Sequence, residues 1–454
     1  MAGYHQNRAC GYCSTSATAV DIDYLAETIR IALERHYKAQ SIFGNVVNSF
    51  NTSHKRVKQE TVTEAIQNNA KVSVAVARDI QQLLHQRYGT RDDSIIGSWW
   101  TRVTSNLFNR SIKFGADDVI NRYEPTDEIW QVKWRAFEHS IKTQNRYFSN
   151  SGLKLLESIF EDLEKLQTNA SYPLITTIGA DLPINTLYRA RVFQSNEKLA
   201  SALNWPDAHL GSPPSHAAAG GRMNAKGISV FYGTNDRQTA LAEVRPPVGS
   251  QVVTGCFKIT RKLRVLDLSA LKQIETSGSI FDDHFTADKE RAAFLFKFSQ
   301  RMTRPVMPDD ESMEYLITQA IADFLSSAPD LNIDGIIFPS VQVAGDVVNV
   351  VLFHKAALVE PWDLKLVKDI KVRLGSTNDY GIPASYSVEE IVYKDPPSSA
   401  TKDISGRPMR DENKTGRVPA LQLDVDSLRV HVIKAIRYTE EEFEIKRVRS
   451  EEIV

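Results

Sequence analysis

Apolar residues recur every third or fourth position through the first third of the chain, then give way to short runs that alternate with polar positions. Leu25, Ile29, Ala32, Leu33 and Tyr37 fall on one helical stripe. Leu153, Leu156, Ile159, Phe160 and Leu163 form another in a stretch rich in Glu and Lys. A third runs from Glu128 to about Asn150 and carries Ile129, Trp130, Trp134 and Phe137. Such stripes are the faces of a small helical bundle, which predicts an all-α domain over residues 1–175. The segment Ala170 to Pro183, with two prolines and a glycine, reads as its boundary.

Beyond that boundary the period changes. Leu187 to Phe193, Ile228 to Gly233, Gln251 to Ile259, Leu263 to Leu268, Gly335 to Pro339 and Val347 to His354 read as strands. Helices are expected at Arg237–Arg245, Lys289–Met302 and Ser312–Leu325. The pattern predicts an α+β domain over 176–375, built on a mixed sheet of mostly short strands. Residues 376–454 form an extension. Its segment 394–418 has the Pro, Ser, Lys, Asp and Gly content of a mobile insertion. Leu428 to Tyr438 and Phe443 to Val448 regain strand-like content and are expected to join the same sheet. No internal repeat is present.

A chain of 454 residues exceeds one ordinary core, and its 42% hydrophobic and 24% charged content is that of a globular protein. A net charge of −1 argues against direct nucleic-acid binding or attraction to an anionic membrane. There is no basic, apolar leader and no run of membrane-span length, so a cytoplasmic location is expected. Three cysteines exclude a disulfide framework. Cys10-Gly11-Tyr12-Cys13 is half of a zinc site; completing it needs histidines such as His5 or His36, and no metal is expected. Arg30 and His36 have the Arg-x5-His spacing of some helical-bundle ribonucleases, a spacing common by chance, and are read as surface residues.

Candidate chemistry gathers after residue 187. Arg189 and Arg191 leave one face of a strand shared with Leu187 and Phe193; two guanidiniums over an apolar floor suit a diphosphate. In Gly220-Gly221-Arg222 the glycines let backbone approach a ligand, and the arginine can clamp a phosphate. Tyr232 is either a ring lining a site or an ordinary core tyrosine. Glu243 sits in the apolar run Ala240-Leu241-Ala242-Glu243-Val244, on a helix that Thr234 or Asn235 can cap. A carboxylate so placed is seldom buried without a partner. Ser340 ends the apolar strand Ile336-Ile337-Phe338-Pro339, and without a Gly-x-Ser-x-Gly turn it reads as a hydrogen-bonding group.

These residues, in this order, resemble the RES domain, named for arginine, glutamate and serine. The resemblance runs from about Leu187 to Val359. It is carried by Tyr188-Arg189, Gly-Gly-Arg with Asn224, Gly227, Tyr232, Ala240-Leu241-x-Glu243, Tyr315 with Thr318-Gln319, Asp334-Gly335, Ser340, and Asn349 before Leu352-Phe353. Met223 departs from it, standing where the family has an aromatic residue, a change that bears on rate more than on reaction. The helical first part is similar to the HEPN/RES N-terminal type of domain fused ahead of RES domains.

The resemblance implies a fold like that of ADP-ribosyltransferases and an activity that consumes NAD⁺ as substrate. Family members are toxins of RES–Xre toxin–antitoxin pairs that split the nicotinamide–ribose bond, so a cognate antitoxin is the partner it implies. Inorganic phosphate is the co-substrate of some. Two alternatives stay open: transfer of ADP-ribose to a protein, and an inactive fold serving as an interaction protein. On this reading Arg222, Tyr232, Glu243 and Ser340 are the catalytic set, and Arg189, Arg191, Gly221, Asn224 and Asn349 bind substrate.

Overall fold

The computed structural model describes residues 5–9, 12, 16–39, 59–89, 112–122, 126–146, 149–276, 278–282, 284–340, 342, 347–363, 367–375, 386–393, 416–437 and 440–447. Cys10, Cys13 and positions 394–415 of the expected insertion lie outside them. The chain divides into two compact units, one of residues 1–135 with 274–297, the other of residues 136–273 with 298–454. The first unit therefore ends well before residue 175 and takes in a later segment, a return no local pattern announces. Among the described residues no helix is long and apolar enough to cross a membrane.

The first unit is not all-α. Strands β1 (His5–Ala9) and β2 (Ser16–Val20) form a hairpin, and β3 (Tyr37–Ala39), β4 (Gln59–Thr61) and β5 (Val119–Arg122) form a small antiparallel sheet. Strands of three to five residues offer too few alternations to register against a helical stripe. Tyr37 accordingly opens β3, one residue beyond helix α1 (Ile22–His36).

Helix α1 packs with α2 (Val62–Ala70) and α3 (Val74–Tyr88) around Ile29, Leu33, Ile66, Ile80 and Leu84. Each helix starts on a side-chain cap: Asp21, Thr61 in a capping box with Glu64, and Ser73. His36 is buried rather than superficial, its ring 5.9 Å from that of Phe285, and burial lowers its pKa. Arg30 is paired with Glu27 and Glu34. Both residues belong to the packing of the helices.

An eight-stranded mixed sheet forms the second unit. In chain order its strands are β6 (Ile175–Ile178), β7 (Thr186–Phe193), β8 (Phe231–Thr234), β9 (Gln251–Ile259), β10 (Leu263–Asp267), β11 (Gly335–Pro339), β12 (Val348–Leu352) and, after a separate hairpin of β13 (Val367–Arg373) and β14 (Ser387–Val392), β15 (Leu421–Val432). In space they run β15-β9-β7-β8-β12-β11-β10-β6. Only the β10–β11 pair is parallel.

Several expectations shift. The boundary segment supplies edge strand β6, and the strand foreseen from Ile228 begins at Phe231. The C-terminal extension does join the sheet, but through β15, which starts seven residues before the foreseen Leu428. No strand occurs in 440–447.

Odd-numbered positions of β7 face a core in which Leu187 and Phe193 meet Leu199 and Leu203 of helix α5 (Asn196–Asn204), Phe231, Phe257 and Val350. Even-numbered positions face helix α6 (Arg237–Glu243), where Ala190 and Val252 pack on Ala240. Helix α4 (Asn150–Phe160) is tied by the stacked rings of Phe160 and Phe324 to α8 (Glu311–Ser327), which follows α7 (Phe285–Thr303).

Candidate active site

The sheet splits where the candidate residues meet. Strand β7 pairs with β9 along its whole length but with β8 only at Tyr188↔Thr234. Past that rung the two neighbours diverge, and main-chain positions that would be laddered instead border a cavity of about 520 Å³. Its wall includes Tyr188, Arg189 and Ala190 from β7, Tyr232 and Gly233 from β8, and Glu243, Arg222, Tyr315 and Asn349. A volume in the range of about 300–1,000 Å³ is typical of small-molecule sites.

Glu243 is the last residue of α6, capped by Asp236, whose carboxylate accepts from the Thr239 N–H at 2.7 Å. The cap lies one residue beyond Asn235, and that bond, first among several, lowers the Asp236 pKa. A carboxylate at a helix C-terminus opposes the helix dipole, so its charge is met from outside the helix. The Ser340 hydroxyl, at the end of β11, and the Asn349 amide, on β12, each donate to Glu243 Oε1 at 2.7 Å. Phe338 pairs with Asn349 and Asn349 with Thr234, so adjacent strands deliver both donors to one point. Both bonds fall on one oxygen. Oε2 lies outside them.

A knot of hydrogen bonds holds the turn Gly221–Asn224. The buried Asn224 donates from Nδ2 to the carbonyls of Ala219, Ala225 and Ile228, and accepts the Tyr232 hydroxyl at 2.9 Å. That hydroxyl in turn accepts the Met223 N–H at 2.9 Å. Gly221 must be glycine here: a Cβ would lie 2.8 Å from Asn224 Oδ1 and 2.9 Å from the Tyr232 hydroxyl. Helix α8 clamps the turn from its other side, through Thr318 to the Arg222 carbonyl and Gln319 to the Gly221 carbonyl. Tyr315, Thr318 and Gln319 share one helical face, which explains their spacing.

Asn224 thus knots the turn together and is not among the residues that line the cavity. Tyr232 presents its ring to the cavity with its hydroxyl committed, and burial pushes its pKa up to about 12. Met223, 1% exposed, is packed inward.

The arginines divide three ways. Arg222 donates to the carbonyls of Met302 and Arg304 at 3.1 and 2.5 Å, capping the C-terminal end of α7, with its guanidinium 5.7 Å from the Tyr315 ring. Arg189 lies 4.8 Å over the Phe231 ring, and its buried Nη1 has no hydrogen-bond partner. Burial above all, and the Arg191 charge second, drive its pKa well below the usual arginine range. Arg191 is not among the cavity-lining residues; half-buried, it donates to the Gly211 carbonyl at 3.3 Å.

The face carrying both arginines is therefore half-buried, sharing the core that Leu187 and Phe193 enter. A buried guanidinium with an idle donor is a demand for an anion.

Sequence reasoning overlooked Glu311, Arg245, Gln342 and Tyr188 on the cavity wall. Glu311 accepts the Tyr315 hydroxyl at 2.9 Å, and burial followed by that bond raises the tyrosine pKa. No local signal marks Glu311, which reaches the site only through helix packing. Arg245 carried one: it stands two residues beyond Glu243 and directly before Pro246-Pro247. Among the described residues no group of three or more His, Cys, Asp or Glu side chains could hold a metal ion.

Residues 186–367 match the family model of the RES domain. No curated protein and no solved structure matches the chain.

Proposed function

We propose that the cavity binds NAD⁺ and cleaves its nicotinamide–ribose bond, with inorganic phosphate or water as acceptor, and that the protein acts as a toxin restrained by a cognate antitoxin. The observation that carries the chemistry is the double hydrogen bond from Ser340 and Asn349 onto Glu243 Oε1, in a cavity whose wall also holds Arg189 with a buried, unpartnered Nη1.

Nicotinamide leaves NAD⁺ as a neutral base, because the electron pair of the breaking C1″–N1 bond returns to a cationic ring. No general acid is required, so one carboxylate suffices where O-glycoside hydrolysis uses two. The barrier lies in the positive charge that develops on the ribose. A carboxylate already oriented for that charge lowers it without reorganisation. Phosphate forms the new C1″–O bond and gives ADP-ribose 1″-phosphate; water gives ADP-ribose and releases a proton.

Arg189, whose Nη1 has no partner, is suited to the diphosphate, with Arg222 on the same cavity wall already holding two main-chain carbonyls, and the Tyr232 ring is suited to the nicotinamide end. Purified protein incubated with NAD⁺, with and without phosphate, should release free nicotinamide. None in either condition ends the proposal, and dependence on phosphate separates phosphorolysis from hydrolysis.

A further inference from the structure

Three cations border the cavity, and they differ in what already engages them. Arg189 lies over the Phe231 ring with its Nη1 buried and unpartnered. Arg222 is spent on two main-chain carbonyls of α7. Arg245 is exposed, lines the same cavity, and among the described residues no hydrogen bond or ion pair engages its guanidinium.

Its backbone is unusual. Arg245 has φ +43°, a left-handed conformation that bulky side chains rarely adopt, and it directly precedes a proline, which further restricts its choices. The surrounding turn over-determines that conformation. Arg245 N–H donates to the Ala242 carbonyl, Pro246 is buried, and Ser250 bonds the Pro247 carbonyl through both N–H and hydroxyl. Beyond it Gly249 and Ser250 are tied to Ile433, next after β15. Strain held in this way at a site is commonly there to aim a side chain.

We infer that Arg245 is an anion-binding residue of the site, presenting its guanidinium at the cavity to a phosphoryl oxyanion. The inference rests on the function proposed above and names one of its binding groups. Two sources share this chemistry, the diphosphate of the dinucleotide and a free phosphate acceptor. A guanidinium fork matches either by paired N–H···O bonds, and the two differ in which Michaelis constant the residue controls.

The experiment compares wild type, R245A and R245K by nicotinamide release. KM for NAD⁺ is measured at saturating phosphate, and KM for phosphate at saturating NAD⁺. Loss of a charge-assisted contact should raise one of them by about tenfold or more in R245A, with partial recovery in R245K. A rise in the phosphate constant identifies the acceptor; a rise in the NAD⁺ constant identifies the diphosphate. Both constants within about twofold of an active wild type overturn the inference and leave the proposed function standing.

Should wild type release no nicotinamide, the proposed function fails and calorimetry still decides the residue's role. ADP-ribose or inorganic phosphate binding wild type about tenfold more tightly than R245A supports it. Equal binding, or none, overturns it.

Discussion

Glu243 offers the sharpest test, because two donors from different strands converge on one of its oxygens. Ser340→Ala and Asn349→Ala each delete one bond of 2.7 Å to Glu243 Oε1. Hydrogen bonds to a charged acceptor contribute about 1.5–3 kcal/mol, so each change should slow kcat by roughly ten- to 150-fold. If the two acted independently, the double variant would lose about 3–6 kcal/mol. The whole role of the carboxylate is set by removing one preorganised charge, about 2–4 kcal/mol, the loss expected for Glu243→Gln.

The double variant should therefore fall short of the sum of its parts and come no lower than Glu243→Gln. Nicotinamide release at saturating NAD⁺ measures the cycle, and thermal unfolding controls for folding, since Asn349 lies on an interior strand. Strict additivity, or single changes under about threefold, would refute the idea that the donors act by holding the carboxylate.

Arg189→Met should raise the thermal unfolding temperature while abolishing NAD⁺ binding, since it removes a buried cation whose Nη1 is unpartnered; a gain of about 1–2 kcal/mol follows from relieving such a group, and a clear loss of stability would contradict it. Tyr232→Phe strands the Asn224 side-chain oxygen Oδ1 and the Met223 N–H, and should cost about 2 kcal/mol in urea unfolding. The same phenol gives a pH signature: its folded pKa of about 12 exceeds the usual value of 10, so the stability it contributes is complete below pH 10 and is lost as pH rises through 12. Tyr232→Phe should flatten that part of the alkaline unfolding curve. Gly221→Ala should open the turn, because the added Cβ meets Asn224 and Tyr232 inside 3.0 Å; crystallography of that variant would show a displaced turn, and an unmoved one would contradict the argument.

Much of this was legible along the chain. The stripe of α1 and the apolar run of β9 report directly on burial, and burial of apolar surface is what drives folding. An ordered set of residues from Tyr188 to Asn349 announced the RES domain, because a site built on a fixed strand order leaves its marks in sequence order.

Function within that set was another matter. Asn224 and Arg191 have the side chains of ligand contacts, and the fold gives each a partner of its own: Asn224 knots a turn and Arg191 donates to the Gly211 carbonyl; residue type states what bonds are available, and only packing states who takes them. Arg222 is similarly engaged by carbonyls some 80 residues away. The pairing of Ser340 and Asn349 on a single oxygen, the cavity opened by β7 parting from β8, and the arrival of Glu311 all depend on strand pairing and helix packing between distant segments. Such contacts carry no periodicity of their own. They exist only once loop closure has brought the strands together.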